Sequence, residues 1–163
     1  ESLQNHINEY RKLLEKGSIQ KAYRGVMEYI SALKAHFHRT SPDLSEAGSL
    51  YYGYMDMTYF SLNPATLKKR RLKIAVVFLH EACRFEVWLS GYNKQVQAQY
   101  WELIRASGWN KYRLVPDLKG MDSILEHTLV ESPNFDDPDT LNRKIEQGTV
   151  QFIKDVETFL ADR

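Results

Sequence analysis

Asp56 stands as a lone carboxylate among Tyr52, Tyr54, Met55, Met57 and Tyr59. An acid buried in such a stretch without a partner is costly, so it must accept hydrogen bonds or face a cleft where a charged acceptor has a use. His80 and Glu81 follow the next apolar run and Glu86 lies just beyond them. Together with Asp56 they are the set that could ligate a divalent ion or exchange protons as general acid and base. Glu126 and His127 repeat the same residue types later in the chain. None of these spacings matches HxxxH, HExxH or CxxC, so turn polarity and surface ion pairs explain them as well as chemistry does. His36 and His38 are two apart on a helical stripe and point in different directions. Cys83 has only His80 nearby in sequence to serve as a base. No GxSxG, phosphate-binding loop or GxGxxG is present, and neither a metal nor a cofactor is expected.

The aromatic residues are the second candidate set. Trp88 alternates out of phase with Phe85, Val87 and Leu89, and so projects from the opposite face of its strand. With Tyr52, Tyr54, Asp56, Tyr59 and Trp101 it is proposed to line a cleft, the rings supplying apolar area and Asp56 fixing orientation. A second core layer under helices is the competing reading of the same rings. A third set is basic: Lys68, Lys69, Arg70, Arg71 and Lys73, with Arg84 close in the expected hairpin, could contact phosphates. Basic runs before strands are also commonly solvated loops that discourage edge pairing.

The elements that must position these groups follow from periodicity. Leu3, Ile7, Tyr10 and Leu14 mark a short helix ended by Gly17. Ile19, Tyr23, Val26, Ile30, Leu33 and Phe37 mark a longer one, capped by Ser18 and stopped at Ser41-Pro42. Residues 50 to 62 read as a strand, apolar on both faces and therefore central in its sheet, so Asp56 should be largely buried. Asn63-Pro64-Ala65-Thr66 is a capped helical turn. Residues 72 to 79 and 84 to 90, joined by His80-Glu81-Ala82-Cys83, form an antiparallel hairpin. Asn93 caps a helix carrying Val96, Tyr100, Trp101, Leu103 and Ile104, closed by Ser107-Gly108. Tyr112 to Val115 is a short strand, and Ser123 to Val130 favours a strand over two helical turns. Asp137-Pro138 starts a last helix through Leu141, Ile145, Phe152, Val156 and Phe159, with Gly148 a candidate bend. The order ααβββαβ(β)α lacks βαβ alternation, so the fold class is α+β: a mostly antiparallel sheet of four or five strands with helices packed on it.

The 163 residues suit one domain spanning 1–163. No apolar run approaches the roughly 20 residues that span a bilayer, and no membrane association is expected. One cysteine and no basic-then-apolar start point to a cytoplasmic setting. The net charge is +1, but residues 114 to 163 carry 11 acidic against 5 basic side chains. The preceding segment is correspondingly basic, and the small total gives nucleic acid no long-range pull.

The stretch LYYGYMDMTYFSLNP followed by KIAVVFLHEACRFEVWLSGYNKQVQAQYWELI resembles a bacterial family of uncharacterised single-domain proteins, known only as a domain of unknown function. The likeness extends through residues 123–130 and Phe135-Asp136-Asp137. It implies a single cytoplasmic domain and carries no chemistry. In element order alone, αβββαβ is similar to the restriction-endonuclease-like core. That core's acid-x-lysine would fall at Glu86-Val87-Trp88, where tryptophan replaces lysine, so the resemblance reaches no further than fold.

These readings combine into a non-catalytic domain whose aromatic cleft holds a small molecule or a protein segment, with a second copy of the chain as a candidate partner. A metal-dependent hydrolase or diverged nuclease using Asp56, His80, Glu81 and Glu86 is the alternative. Nucleic-acid binding through Lys68 to Lys73 is the third.

Overall fold

The computed structural model of the protein describes residues 1–44 and 48–163. Two helices open the chain, α1 (Leu3–Glu15) and α2 (Ser18–Thr40). Ser2 caps α1 through its side chain, and Gly17, in the left-handed region at φ 77°, makes the turn between the two helices. The apolar stripe of α1 buries nothing: Leu3, Ile7, Tyr10 and Leu13 are all exposed. Only the second half of α2, with Tyr29, Ile30, Leu33 and Phe37, enters the core.

Among the described residues five strands follow: β1 (Met57–Leu62), β2 (Leu72–Leu79), β3 (Arg84–Gly91), β4 (Arg113–Leu114) and β5 (Leu125–Val130). They form one sheet in the order β1-β2-β3-β5-β4, with every neighbouring pair antiparallel. The helical turn α3 (Ala65–Lys68) separates β1 from β2, and α4 (Lys94–Ser107) follows β3. The last helix is α5 (Pro138–Leu160), with Asp137 as N-cap and Pro138 in its first turn.

Period-two alternation divides the sheet. Phe60, Leu62, Ile74, Val76, Phe78, Phe85, Val87, Leu89 and Leu125 point to one side and join the core with Phe37 of α2 and Ile145, Phe152 and Val156 of α5. Tyr29 meets Phe85 edge-on at 5.8 Å and Phe37 meets Phe60 at 5.8 Å, which places α2 over β1 to β3. Tyr112 packs on Phe152 at 4.7 Å, holding the chain before β4 against α5.

Three expectations are corrected. The strand read over residues 50–62 is confined to 57–62, because Gly53 and Met55 both take positive φ and fold the preceding chain back. Tyr51 therefore returns to pair with Tyr59 in an isolated bridge. Asp56 lies outside the strand and is exposed, not buried. β1 is an edge strand rather than a central one, and its second apolar face is the ring stack of Tyr51 on Tyr59 at 4.9 Å. α5 runs unbroken through Gly148. A Cβ there would lie 2.6 Å from Leu129 Cδ2, so the glycine admits a close approach of β5.

Candidate functional site

The side of the sheet away from α2 and α5 holds the site. The β1–β2–β3 register aligns Ser61, Ala75 and Trp88 in one row, Tyr59, Val77 and Glu86 in the next, and Lys73 with Ser90 in the row on the other side. Small side chains at Ser61, Ala75 and Ser90 leave a hollow floor between the rings of Trp88 and Tyr59. The result is an open cavity of about 390 Å3, lined toward one end by Tyr51 and Met57 and toward the other by Lys73, Asn93, Lys94, Gln97 and Asp122. That volume is in the lower part of the range of about 300 to 1,000 Å3 usual for small-molecule sites.

The walls are held by hydrogen bonds. Trp88 Nε1 donates to Glu86 Oε1 at 2.8 Å and Arg84 Nε donates to Glu86 Oε2 at 2.6 Å. Residues two apart on a strand share a face, so Arg84, Glu86 and Trp88 form one short charge-assisted chain. Glu86 is only 4% exposed, and its hydrogen bond holds the Arg84 guanidinium pKa above its ordinary value. Across the floor, Tyr59 is fixed by two backbone bonds to Tyr51 (2.9 and 3.0 Å) and by their ring stack. Burial, followed by the neighbouring Tyr51 and Asp122, raises the Tyr59 pKa, so its hydroxyl remains a donor.

The third wall is the start of α4. Asn93 Oδ1 accepts from Val96 N at 2.9 Å and caps the helix. Gln97 Oε1 accepts from Gly91 N at 3.0 Å, while its Nε2 donates to Met121 O at 3.1 Å and Ser123 O at 3.3 Å. Ser90 Oγ donates to Asp122 O at 2.7 Å. The half-buried and buried polar groups of this wall are thus satisfied internally, and it is a preformed surface.

Residues 3–160 match the model of a family described as a domain of unknown function, DUF7000. The chain belongs to that family. No curated protein and no solved structure matches it. Membership of DUF7000 agrees with the resemblance carried by residues 50–64 and 73–104 and assigns no reaction. No helix among the described residues is long and apolar enough to cross a membrane.

Of the residues singled out in this DUF7000 domain as ligand-binding, Tyr59 and Trp88 line the cavity. Tyr52 and Tyr54 are exposed on the loop before β1, outside it. Trp101 packs against the core and donates Nε1 to Val115 O at 2.8 Å. Asp56 Oδ1 accepts from Tyr54 N at 2.8 Å. Backbone N–H groups, Tyr54 first and then Met57 and its own, lower the Asp56 pKa.

The acid and base candidates separate similarly. His80 N donates to Asp56 O at 3.0 Å, so the loop and the hairpin turn do meet. The His80 ring lies 2.8 Å from Thr58 Oγ1 and stacks on Tyr23 at 5.9 Å. Its burial lowers its pKa against the opposing pull of Asp56. Glu81 is exposed in the turn, and Glu86 is committed to Arg84 and Trp88 on the sheet. Glu126 accepts from Arg113 at 2.8 Å and Ser123 at 2.6 Å, while His127 points into the core against Tyr112 at 4.8 Å. Among the described residues no group of three or more His, Cys, Asp or Glu side chains is placed to hold a metal ion.

The basic run disperses. Lys68, Lys69 and Arg71 are exposed, Arg70 donates to Leu160 O at 2.7 Å and to Arg163 O at 3.1 Å, and Lys73 turns to the cavity. Sequence reasoning missed Ser61, Ala75, Ser90, Lys94, Gln97 and Asp122 as cavity residues. A signal for part of the floor existed: the hairpin read over residues 72–90 with a four-residue turn sets Ala75 opposite Trp88 and Lys73 opposite Ser90.

Proposed function

We propose that this domain binds a small planar molecule in the cavity on the open face of the sheet, and that it acts by binding rather than by catalysis. The observation that carries the reading is the Trp88 ring, half-buried and tied by its N–H to a buried carboxylate, beside a floor of small side chains. An indole fixed in this way offers a ring face to a planar guest at low entropic cost. Tyr59 and Ser61 supply hydroxyl groups along one side of such a guest. The metal-dependent and nucleic-acid readings draw less support, because Asp56, Glu81 and Glu86 lie apart and the basic run is divided between packing, solvent and the cavity.

The test is a screen of planar aromatic fragments followed by backbone amide NMR shifts. Hits are expected to move residues 59–61, 73–75 and 88–91, and Trp88→Ala is expected to weaken them by about ten-fold or more, the scale of one lost stacking contact. Hits that cluster elsewhere, or an absence of hits, overturn the proposal.

A further inference from the structure

The cavity is asymmetric in charge. Lys73 is half-buried on β2 and Lys94 is the first residue of α4, and both line the same end of it. Among the described residues neither takes part in an ion pair. Lys94 is exposed and Lys73 half-buried. A lysine in the first turn faces the positive end of the helix dipole, and α4 has no acid in that turn to offset it. Two cations without an ion-pair partner among the described residues and a helix start thus converge on one end of the cavity. Among the described residues the carboxylate that also lines this end is Asp122, which acts on the Tyr59 hydroxyl and leaves the lining one positive charge in excess. A second depression of about 510 Å3, sharing Lys94, Gln97, Met121 and Asp122 and adding Lys119, adjoins this end.

Resting on the binding reading above, we infer that the ligand is an aromatic anion: a planar ring lying on Trp88 with a carboxylate or phosphate directed to Lys73 and Lys94. The strand register sets the spacing. Lys73 is two residues from Ala75, the cross-strand partner of Trp88, and two residues of strand span about 6.7 Å. Lys73 thus lies diagonal to Trp88 on the same face, so an anionic group on the guest points past the edge of the stacked ring. Asp122 lines the same end beside the lysines and can accept a hydrogen bond from a ring N–H or amine of the guest.

The test compares 2-naphthylacetate with its neutral isostere 2-naphthylacetamide by isothermal titration calorimetry at low ionic strength. The anion is expected to bind about ten-fold more tightly, as two partly solvated cations at contact distance allow. Raising the salt should erode that preference. Lys73→Met with Lys94→Met should bring the two affinities together, while Trp88→Ala weakens both probes alike. Circular dichroism melting of each variant confirms that it is folded. Equal binding of both probes at a Trp88-dependent site overturns the anion assignment and leaves the binding reading standing. Binding of neither probe, or binding indifferent to Trp88, overturns the binding reading and this inference with it.

Discussion

Glu86→Ala removes the acceptor that holds both Arg84 and Trp88, and its cost can be worked from the structure. Hydrogen bonds to a charged group are worth about 1.5 to 3 kcal/mol each. The Arg84 side chain is 35% exposed and recovers water when its partner goes, so its share falls toward the 0.2 to 1 kcal/mol or so of a surface pair. Trp88 N–H loses its acceptor at the cavity wall and retains most of the penalty. The total is about 2 to 3 kcal/mol, which at about 2 to 4 °C per kcal/mol for a chain of this size lowers the melting temperature by roughly 4 to 12 °C. Glu86→Gln keeps an oxygen for Trp88 and should lose less. Differential scanning calorimetry measures both, and tryptophan emission reports the loosened indole as a red shift against Trp101 and Trp109. An E86A protein melting within about 1 °C of wild type, a change this size class makes for under about 0.5 kcal/mol, refutes the claim that Glu86 organises this face. So does an E86Q protein less stable than E86A.

A Cβ at Gly91 would lie 2.6 Å from Gln97 N and 3.0 Å from its Cα, both backbone atoms of α4. Gly91→Ala should therefore displace the cavity wall and cost about 2 kcal/mol, the middle of the range for overpacking, read as a lower denaturant midpoint. Thr149 is fully buried and its hydroxyl has no partner among the described residues, so Thr149→Val should stabilise by about 1 kcal/mol in the same assay, whereas Thr149→Ser should destabilise. Burial holds the His127 and His80 pKa values below the ordinary 6.5. The unfolded chain then takes up protons that the folded chain refuses, so stability is present above 6.5 and falls as the pH drops below it. His127→Phe should flatten that fall. The carboxyls of Asp56 and Asp155, held below their ordinary 3.8, lose their contribution only at more acid pH, which separates the two effects in a pH series of melts.

Helices, the hairpin and the caps at Asn93 and Asp137 were legible because their signals are local, whereas Ser18, read as the cap of α2, is its first residue and Gly17 holds the N-cap position. Asn93 before Val96, Asp137 before Pro138 and the paired runs around His80 to Cys83 each depend on a few neighbouring residues. The error at residues 50–56 has a physical source. Tyrosine-rich composition favours a strand, but positive φ at Gly53 and Met55 turns the chain, and the tyrosines then stack or face solvent instead of filling a pleat. Asp56 attracted notice as a buried acid and is an exposed one that binds the loop's own N–H groups. Trp88 was placed on the correct face by alternation alone. Its surroundings were harder to read, because the floor consists of small residues from three strands and the cationic end comes from β2 and α4, brought together only by the tertiary fold.

The two faces of the sheet follow different rules. One is filled by phenylalanine, leucine, isoleucine and valine against α2 and α5. The other carries a buried glutamate in the middle of β3, where an aliphatic residue would avoid the desolvation cost of a carboxylate. Replacing a whole buried ion pair with apolar residues of similar size is often neutral or stabilising, so stability alone does not account for the Glu86–Arg84 pair. Orienting the indole of Trp88 does, because a leucine cannot accept its N–H. Glu86→Leu separates the two roles. The melting temperature should fall by less than for Glu86→Ala, because leucine fills the volume that alanine leaves empty, although Arg84 and the Trp88 N–H lose the same acceptor. Affinity for a planar probe in the cavity should fall nonetheless, by about ten-fold if the fixed ring contributes the usual worth of a stacking contact. A Glu86→Leu protein that melts normally and binds the probe as tightly as wild type would show that Trp88 needs no orientation, and the reading of this face as a built site would fail with it.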